Sequence, residues 1–262
     1  MRFSDQLVVV RGGGDLATGV IYRLHRAGFP IIVLELALPL TIRRTVAVSS
    51  AVAAGTFRVE GLHAVRAESV EEAVDAARTW KIPVLVSPTM PALPAAVVVD
   101  ARMAKRNIDT TINDAPFVVG LGPGFTAGTD CHVVIETMRG HRLGRVIRVG
   151  GAAPDTGVPG LIGGEATSRV IRAARAGSLT WLSSIGDSVA AGQNLGAIDG
   201  TPIEAPIGGV VRGLLAEGIV APGLKIADID PRADADACFE ISDKSLAVGG
   251  GALEAVLAWL NT

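Results

Sequence analysis

Three consecutive glycines, Gly12-Gly13-Gly14, stand between Arg11, which ends the apolar run Leu7 to Val10, and Asp15, which precedes Leu16, Val20, Leu24 and Ala27 at helical spacing. A strand must therefore hand over to a helix through a turn with almost no side-chain bulk, and Gly28 follows as a helix stop. Phe29 to Leu36 supplies a second buried strand, so the chain opens as a βαβ unit, which demands a parallel sheet covered on both faces. Gly12-Gly13-Gly14-Asp15-Leu16-Ala17 fits the pattern G-x-G-x-x-G/A, and Glu35 ends the next strand 18 residues beyond Ala17. On that reading Gly12, Gly13, Gly14, Asp15 and Leu16 cradle a pyrophosphate on helix amides, and Glu35 accepts hydrogen bonds from a ribose. The alternative is a tight turn whose glycines only relieve crowding. Asp15 favours that alternative, because a carboxylate in the first turn satisfies the helix amides itself and repels phosphate.

Further along, Ser69-Val70-Glu71-Glu72 fits a capping box, with Val70, Ala73, Val74 and Ala77 as the apolar face of the helix that follows. Ile82 to Val86, Val97 to Val99 and Phe117 to Val119 read as more strands, each closed by Pro, Gly or a charge. The expected fold is a Rossmann-like α/β domain, a parallel sheet with helices on both faces, over residues 1–169. Ligands bind such sheets at the strand carboxyl ends, which draws attention to Asp100-Ala101-Arg102 and to Gly120-Leu121-Gly122-Pro123-Gly124.

From about residue 170 the texture changes to short β-like pieces with glycine turns. Gly186 to Asp199 matches Glu217 to Asp230 at a constant offset of 31 residues, with Val189/Val220, Gly192/Gly223, Leu195/Ile226 and Ile198/Ile229 coinciding. With Glu204 to Val210 between the halves, the arrangement resembles the pseudo-symmetric biotinyl/lipoyl-like β barrel, here over residues 170–232. Carriers of that family present a lysine on the central hairpin, whereas this chain has the turn Asp199-Gly200-Thr201-Pro202. A structural or docking module is therefore expected rather than a swinging arm. Residues 233–262 form a last segment in which Gly249-Gly250-Gly251 precedes an amphipathic helix carrying Leu253, Val256, Leu257 and Leu260, able to pack on the first domain.

Several polar clusters could carry chemistry. Arg43-Arg44, and Arg102 with Lys105-Arg106, supply cations after presumed strands and could clamp phosphates or a carboxylate. The plain reading of the second group is solvated surface. Strand alternation would put Asp130, His132 and Glu136 on one face with Cys131 opposite. Asp130, His132 and Glu136 could bind a divalent metal or do acid/base work and Cys131 could act as a nucleophile, against the favoured alternative of a polar network around the glycine-rich 120–128 loop. They match no known metal-ligand spacing, and no metal is expected.

The formal charge of −2 offers no global field for nucleic acid or an acidic membrane. Two distant cysteines, Cys131 and Cys238, give neither a disulfide framework nor a cysteine zinc site. The first residues match neither a signal peptide nor a spanning helix, so a cytoplasmic protein is expected.

Arg11 to Gly19, Tyr22 to Phe29, Ile42 to Val46, Gly120 to Phe125, Glu136 to Ile147, Gly223 to Ile226 and Cys238 to Lys244 together resemble the YqeB family along nearly the whole chain. That resemblance implies an accessory factor of the selenium-dependent molybdenum hydroxylase system, distantly associated with XdhC/CoxI-type maturation factors. It implies a process and a client enzyme rather than a reaction. The combined expectation is a site holding a nucleotide-bearing cofactor such as molybdopterin dinucleotide, with Arg43 and Arg44 on a distal anionic group and the β module docking on the molybdenum hydroxylase. A homo-oligomer is compatible with it. The rivals are an NAD-dependent oxidoreductase and a non-catalytic interaction protein.

Overall fold

The computed structural model describes residues 3–157, 164–165 and 167–262, and the chain divides into two compact units. The first comprises Met1–Pro39, Ala47–Asp155 and Ile241–Thr262; the second comprises Leu40–Val46 and Thr156–Glu240. The division thus falls near Asp155 and Glu240 rather than at 169 and 232, and the Leu40–Val46 segment goes with the second unit.

In the first unit the chain runs β1 (Val8–Arg11), α1 (Asp15–Ala27), β2 (Ile31–Glu35), the short α2 (Ala51–Ala54), β3 (Thr56–Val59), β4 (Leu62–Ala67), α3 (Val70–Arg78), β5 (Ile82–Val86), β6 (Val97–Asp100), β7 (Phe117–Leu121), β8 (Val133–Ile135) and β9 (Val146–Ile147). These nine strands form one sheet in the order β3-β4-β5-β2-β1-β6-β7-β8-β9. The inner strands are β-branched and buried along their whole length, as strands covered on both faces must be. Val9, Ile32, Leu34, Leu85, Val98 and Val118 pack in one cluster with Ala73 and Ala77 of α3. Ser69 caps the helix as read, its hydroxyl accepting from the Glu72 amide at 3.1 Å, while the Glu72 carboxylate accepts from the amide of Glu68, one residue before the cap, at 2.9 Å.

The expected fold class is nevertheless corrected. The sheet is mixed, not parallel, with β3 and β9 antiparallel at its two edges. The crossings from β5 to β6, β6 to β7 and β7 to β8 are loops rather than helices, so the layered helix-on-both-faces arrangement is not built. The reason lies in the linking sequences. Residues 101–116 carry Arg, Lys, Asn, Asp and Thr with no apolar stripe of helical period, and cannot cover a sheet face.

The second unit holds β10 (Val170–Arg172), β11 (Gly177–Trp181), β12 (Ser188–Val189), β13 (Asn194–Ile198), β14 (Thr201–Glu204), β15 (Gly209–Leu214), β16 (Gly218–Val220) and β17 (Lys225–Asp230). Among the described residues they form two four-stranded antiparallel sheets, β10-β17-β15-β12 and β14-β13-β11-β16, rather than one closed barrel. The sequence repeat has a structural counterpart: β12 and β13 of the first half correspond to β16 and β17 of the second, and each half gives its short strand to one sheet and its long strand to the other. Asp199 (φ 47°) and Gly200 (φ 77°) are both left-handed between the paired residues Ile198 and Thr201, the geometry a two-residue hairpin requires.

The last element, α4 (Asp243–Leu260), returns to the first unit and lies on α1. It begins well before the expected position and runs straight through Gly249-Gly250-Gly251. One glycine from each helix explains why. A Cβ on Gly249 would collide with the Gly19 carbonyl, and one on Gly19 with the Ser245 carbonyl, so the helices cross backbone to backbone. Gly250 faces open space. Among the described residues no helix is long and apolar enough to cross a membrane.

Two substitutions separate crowding from helix propensity. Gly19→Ala should lower stability by about 1–3 kcal/mol through overpacking, despite alanine's preference for helix. Gly250→Ala should raise it by up to about 1 kcal/mol. Urea denaturation midpoints of the two variants measure both.

Candidate functional site

The polar residues of the first unit collect at the carboxyl ends of β1, β2, β6, β7 and β8. There the glycine turn is built from within. Gly12 is left-handed (φ 94°), and a side chain there would press on the backbone of Ala101 and Arg102. Its amide donates to the Leu34 carbonyl at 2.7 Å. The Gly13 amide donates to Glu35 Oε2 at 2.7 Å, and the Gly13 carbonyl accepts from the Ser49 amide at 2.9 Å.

Glu35 is therefore a turn-holding residue. Its other oxygen accepts from the Leu36 amide at 2.7 Å. Burial raises its pKa, opposed by the hydrogen bonds from Leu36 and Gly13. Beyond the turn the geometry changes. Gly14 caps α1 in an extended conformation (φ −73°) with no side-chain cap, and Gly14, Asp15 and Leu16 are partly open to solvent. Asp15 Oδ1 accepts from the Ser245 hydroxyl at 2.7 Å, which ties the first turn of α1 to the first turn of α4.

Beside the turn lies a closed charge network. Arg11, only 2% exposed, donates to Asp109 and to the Thr110 hydroxyl, both at 2.7 Å. Thr110 in turn donates to Asp100 at 2.7 Å. Arg102 holds Asp100 through its Nε at 3.1 Å and its terminal nitrogen, and meets Asp109 at 2.7 Å. Although burial works against it, hydrogen bonds from Arg11 and Arg102 hold Asp109 below its ordinary pKa. Asn107 braces the loop by donating to the Thr110 carbonyl at 2.7 Å and to Asp130 at 3.2 Å. Arg102 is thus committed to carboxylates.

The 130–136 cluster is dispersed among backbone duties. Asp130 accepts from the Thr126 amide at 2.8 Å. His132 Nδ1 accepts from the Val118 amide at 2.9 Å, which fixes its neutral form, and burial lowers its pKa. Glu136, 3% exposed, takes the Met138 amide at 2.7 Å and the Ala153 amide at 2.8 Å. Cys131 is fully buried in the core cluster, and that burial pushes its thiol up to about 11, so it is a packed thiol rather than a thiolate near neutral pH. Among the described residues no three His, Cys, Asp or Glu side chains gather as a metal site.

Arg43 and Arg44 belong to the second unit. Arg43 donates to the Ala237 and Glu240 carbonyls at 3.0 and 3.1 Å, and Arg44 Nε donates to the Leu214 carbonyl at 2.7 Å. Both thus donate to backbone carbonyls within the second unit. The residues that sequence reading passed over are Lys244, beside Arg139, and the Asn107–Asp109–Thr110 brace. Arg139 pairs with Asp243 at 2.8 and 3.1 Å, bringing the loop after β8 onto the first turn of α4. The signal was present as Ser242-x-x-Ser245, whose cap is made at 3.1 Å.

Fold and site thus define a two-unit protein with a polar, turn-lined site at the carboxyl ends of a mixed sheet. No family model matches the chain. It is 49% identical over 262 residues to "Uncharacterized protein YqeB" of Escherichia coli strain K12, across 98% of its own length and 48% of that protein. The chain thus spans about half the length of this curated relative, and the homology supports placing it in the YqeB family. The crystal structure of a succinylglutamatedesuccinylase/aspartoacylase from Rhodobacter sphaeroides is similar at 16% identity and a TM-score of 0.27, over 88% of this chain and 87% of that one, too low to inform the fold.

Two measurements test these assignments. Glu35→Gln leaves one amide donor facing an NH₂ group, and should cost about 1–3 kcal/mol in the urea denaturation midpoint. His132 has its pKa lowered below the ordinary 6.5, so the unfolded chain binds more protons. Its contribution is present above pH 6.5 and is lost as pH falls below that value. Wild type should lose more stability than His132→Gln between pH 7 and pH 5, a window bracketing ~6.5.

Proposed function

We propose that the first unit holds a nucleotide-bearing cofactor at the carboxyl ends of its sheet, as an accessory factor in maturation of a selenium-dependent molybdenum hydroxylase. The supporting observation is the partly open amino end of α1 at Gly14, Asp15 and Leu16, whose N-cap is a glycine with no side chain to lend, a place where a diphosphate would meet the positive end of the helix dipole. Gly12, Gly13 and Glu35 act one step back in this reading: they fix the turn, and Gly14 to Leu16 make the contact. The resemblance to the YqeB family suggests molybdopterin dinucleotide as the ligand and the hydroxylase as the client.

Exposed apolar side chains that follow strands of the same sheet suit a protein partner. Leu36 and Leu38 follow β2, Ile108 lies in the loop after β6, and Met138 follows β8; Leu38 is 83% exposed. Holding and handing over a cofactor requires no reacting side chain, which accords with a buried Cys131 and a His132 engaged with the backbone.

Calorimetric titration of the full chain with cytidine diphosphate and with NAD tests the proposal. Saturable binding of the cytidine ligand is expected, and its loss in Gly14→Val, whose extended backbone accepts a side chain. No binding to wild type, or binding of NAD alone followed by hydride transfer, would overturn it.

A further inference from the structure

The segment Leu40–Val46 belongs to the second unit, and the chain passes back to the first at Ala47. Crossings of this kind are ordinarily exposed and rich in Pro, Gly or polar residues. Here Thr41 to Ser50 holds neither glycine nor proline, and Val46, Ala47 and Val48 are fully buried.

The second unit grips the segment at Ile42 to Thr45. The Ile42 carbonyl accepts from the Leu214 amide at 2.9 Å, and a Cβ on Gly213 would press on that same carbonyl, so β15 lies directly against the segment's backbone. Arg44 Nε donates to the Leu214 carbonyl at 2.7 Å, and the Thr45 hydroxyl to the Cys238 carbonyl at 2.6 Å.

The first unit takes hold three residues later. The Val48 amide donates to the Thr18 hydroxyl at 3.1 Å, and that hydroxyl donates to the Gly14 carbonyl at 2.9 Å, a continuous chain of bonds from the N-cap of α1 to the segment. The Ser49 amide donates to the Gly13 carbonyl at 2.9 Å, and a Cβ on Gly13 would approach the Ser49 nitrogen to 3.0 Å. A glycine thus admits the segment's backbone at either end. Between Thr45 and Val48 run three peptide steps, a reach of about 11 Å at most. The Val46 and Ser50 amides close tight turns on the Arg43 and Ala47 carbonyls at 3.2 and 3.0 Å. A short stretch bonded within itself and held at both ends has little slack to absorb a displacement at one of them, and contiguous chains of this kind carry coupling.

We infer that Ile42 to Ser49 is a strap coupling the glycine turn of the first unit to β15 of the second, so that a change at Gly13 and Gly14 alters how firmly β15 is held. With a ligand at Gly14 to Leu16, as proposed above, the strap reports its presence to the second unit; the coupling itself does not rest on that reading.

Amide hydrogen exchange of the ligand-free full chain, read residue by residue by NMR, tests the strap. Thr18→Val keeps nearly the same shape and removes the hydroxyl between Gly14 and Val48. The Leu214 amide, in the other unit, should then exchange about three- to thirtyfold faster. Coupling is reciprocal, so Thr45→Val should speed exchange of the Ser49 amide as well. Thr18→Ser, which restores the hydroxyl, should leave Leu214 at the wild-type rate. The Ala205 amide, which donates to the Gln193 carbonyl elsewhere in the second unit, should keep its rate in every variant. An unchanged Leu214 rate in Thr18→Val, or an unchanged Ser49 rate in Thr45→Val, overturns the strap; if one variant fails to fold, the other decides. An Ala205 rate that rises together with that of Leu214 also overturns it, because the second unit is then loosened as a whole. No ligand enters the experiment, so its failure leaves the nucleotide reading to the calorimetric titration.

Discussion

The backbone-to-backbone crossing of α1 and α4 at Gly19 and Gly249 is the constraint from which the site follows. Side chains between two helices ordinarily keep their axes 8–10 Å apart, a typical spacing. Glycine at both crossing points removes that spacer, so the amino ends of the two helices come close enough for Ser245 to reach Asp15 at 2.7 Å. Gly144 makes a further tight contact with the Ala247 carbonyl, fitting the loop between β8 and β9 against the same helix. A bulkier interface would separate Lys244 from the loops after β6 and β8. The helix propensity lost at Gly19 and Gly249, about 1 kcal/mol each, is set against this close fit.

Around that crossing, charges divide into two kinds. Arg11, Arg102, Asp100 and Asp109 are paired among themselves through Thr110, and burying such groups contributes little net stability because desolvation offsets attraction. What the network does is fix geometry. It pins the 101–110 loop to the ends of β1 and β6, and thereby determines where Lys105 emerges. Lys105 and Lys244 are of the second kind, cations with no ion pair among the described residues, and Lys244 lies in a field of both signs, from Lys105 and Arg139 against Asp15 and Glu136.

The strands were legible because buried parallel strands write themselves as short β-branched runs: Ile82 to Val86, Val97 to Val99 and Phe117 to Val119 all lie in the sheet. The Ser69 cap and the Asp199-Gly200 turn were legible for an equally local reason. What failed was inference from local pattern to layer architecture. An opening βαβ does not dictate how later strands are joined, and residues 101–116 hold the site's ion pairs instead of forming a covering helix. Arg43 and Arg44 look like anion clamps in sequence, yet carbonyls of the second unit take them, which only tertiary contacts reveal.

The most instructive miss is the start of α4. Gly249-Gly250-Gly251 reads as a helix breaker, because a glycine interior costs backbone entropy and offers no side chain to bury. That cost is real only when nothing else is gained at the position. Here Gly249 and Gly251 lie against the carbonyls of Gly19 and Gly144, where any other residue would be excluded, while Ser242 caps the helix a full two turns earlier. Reading the glycines as a break cut off the first turn of the helix, and with it Lys244. Glycine in a helix therefore carries two opposite meanings, and the cap upstream decides between them. A Ser-x-x-Ser signal preceding an uninterrupted small-residue run argues for a helix pressed against another, with its first turn available to build a site.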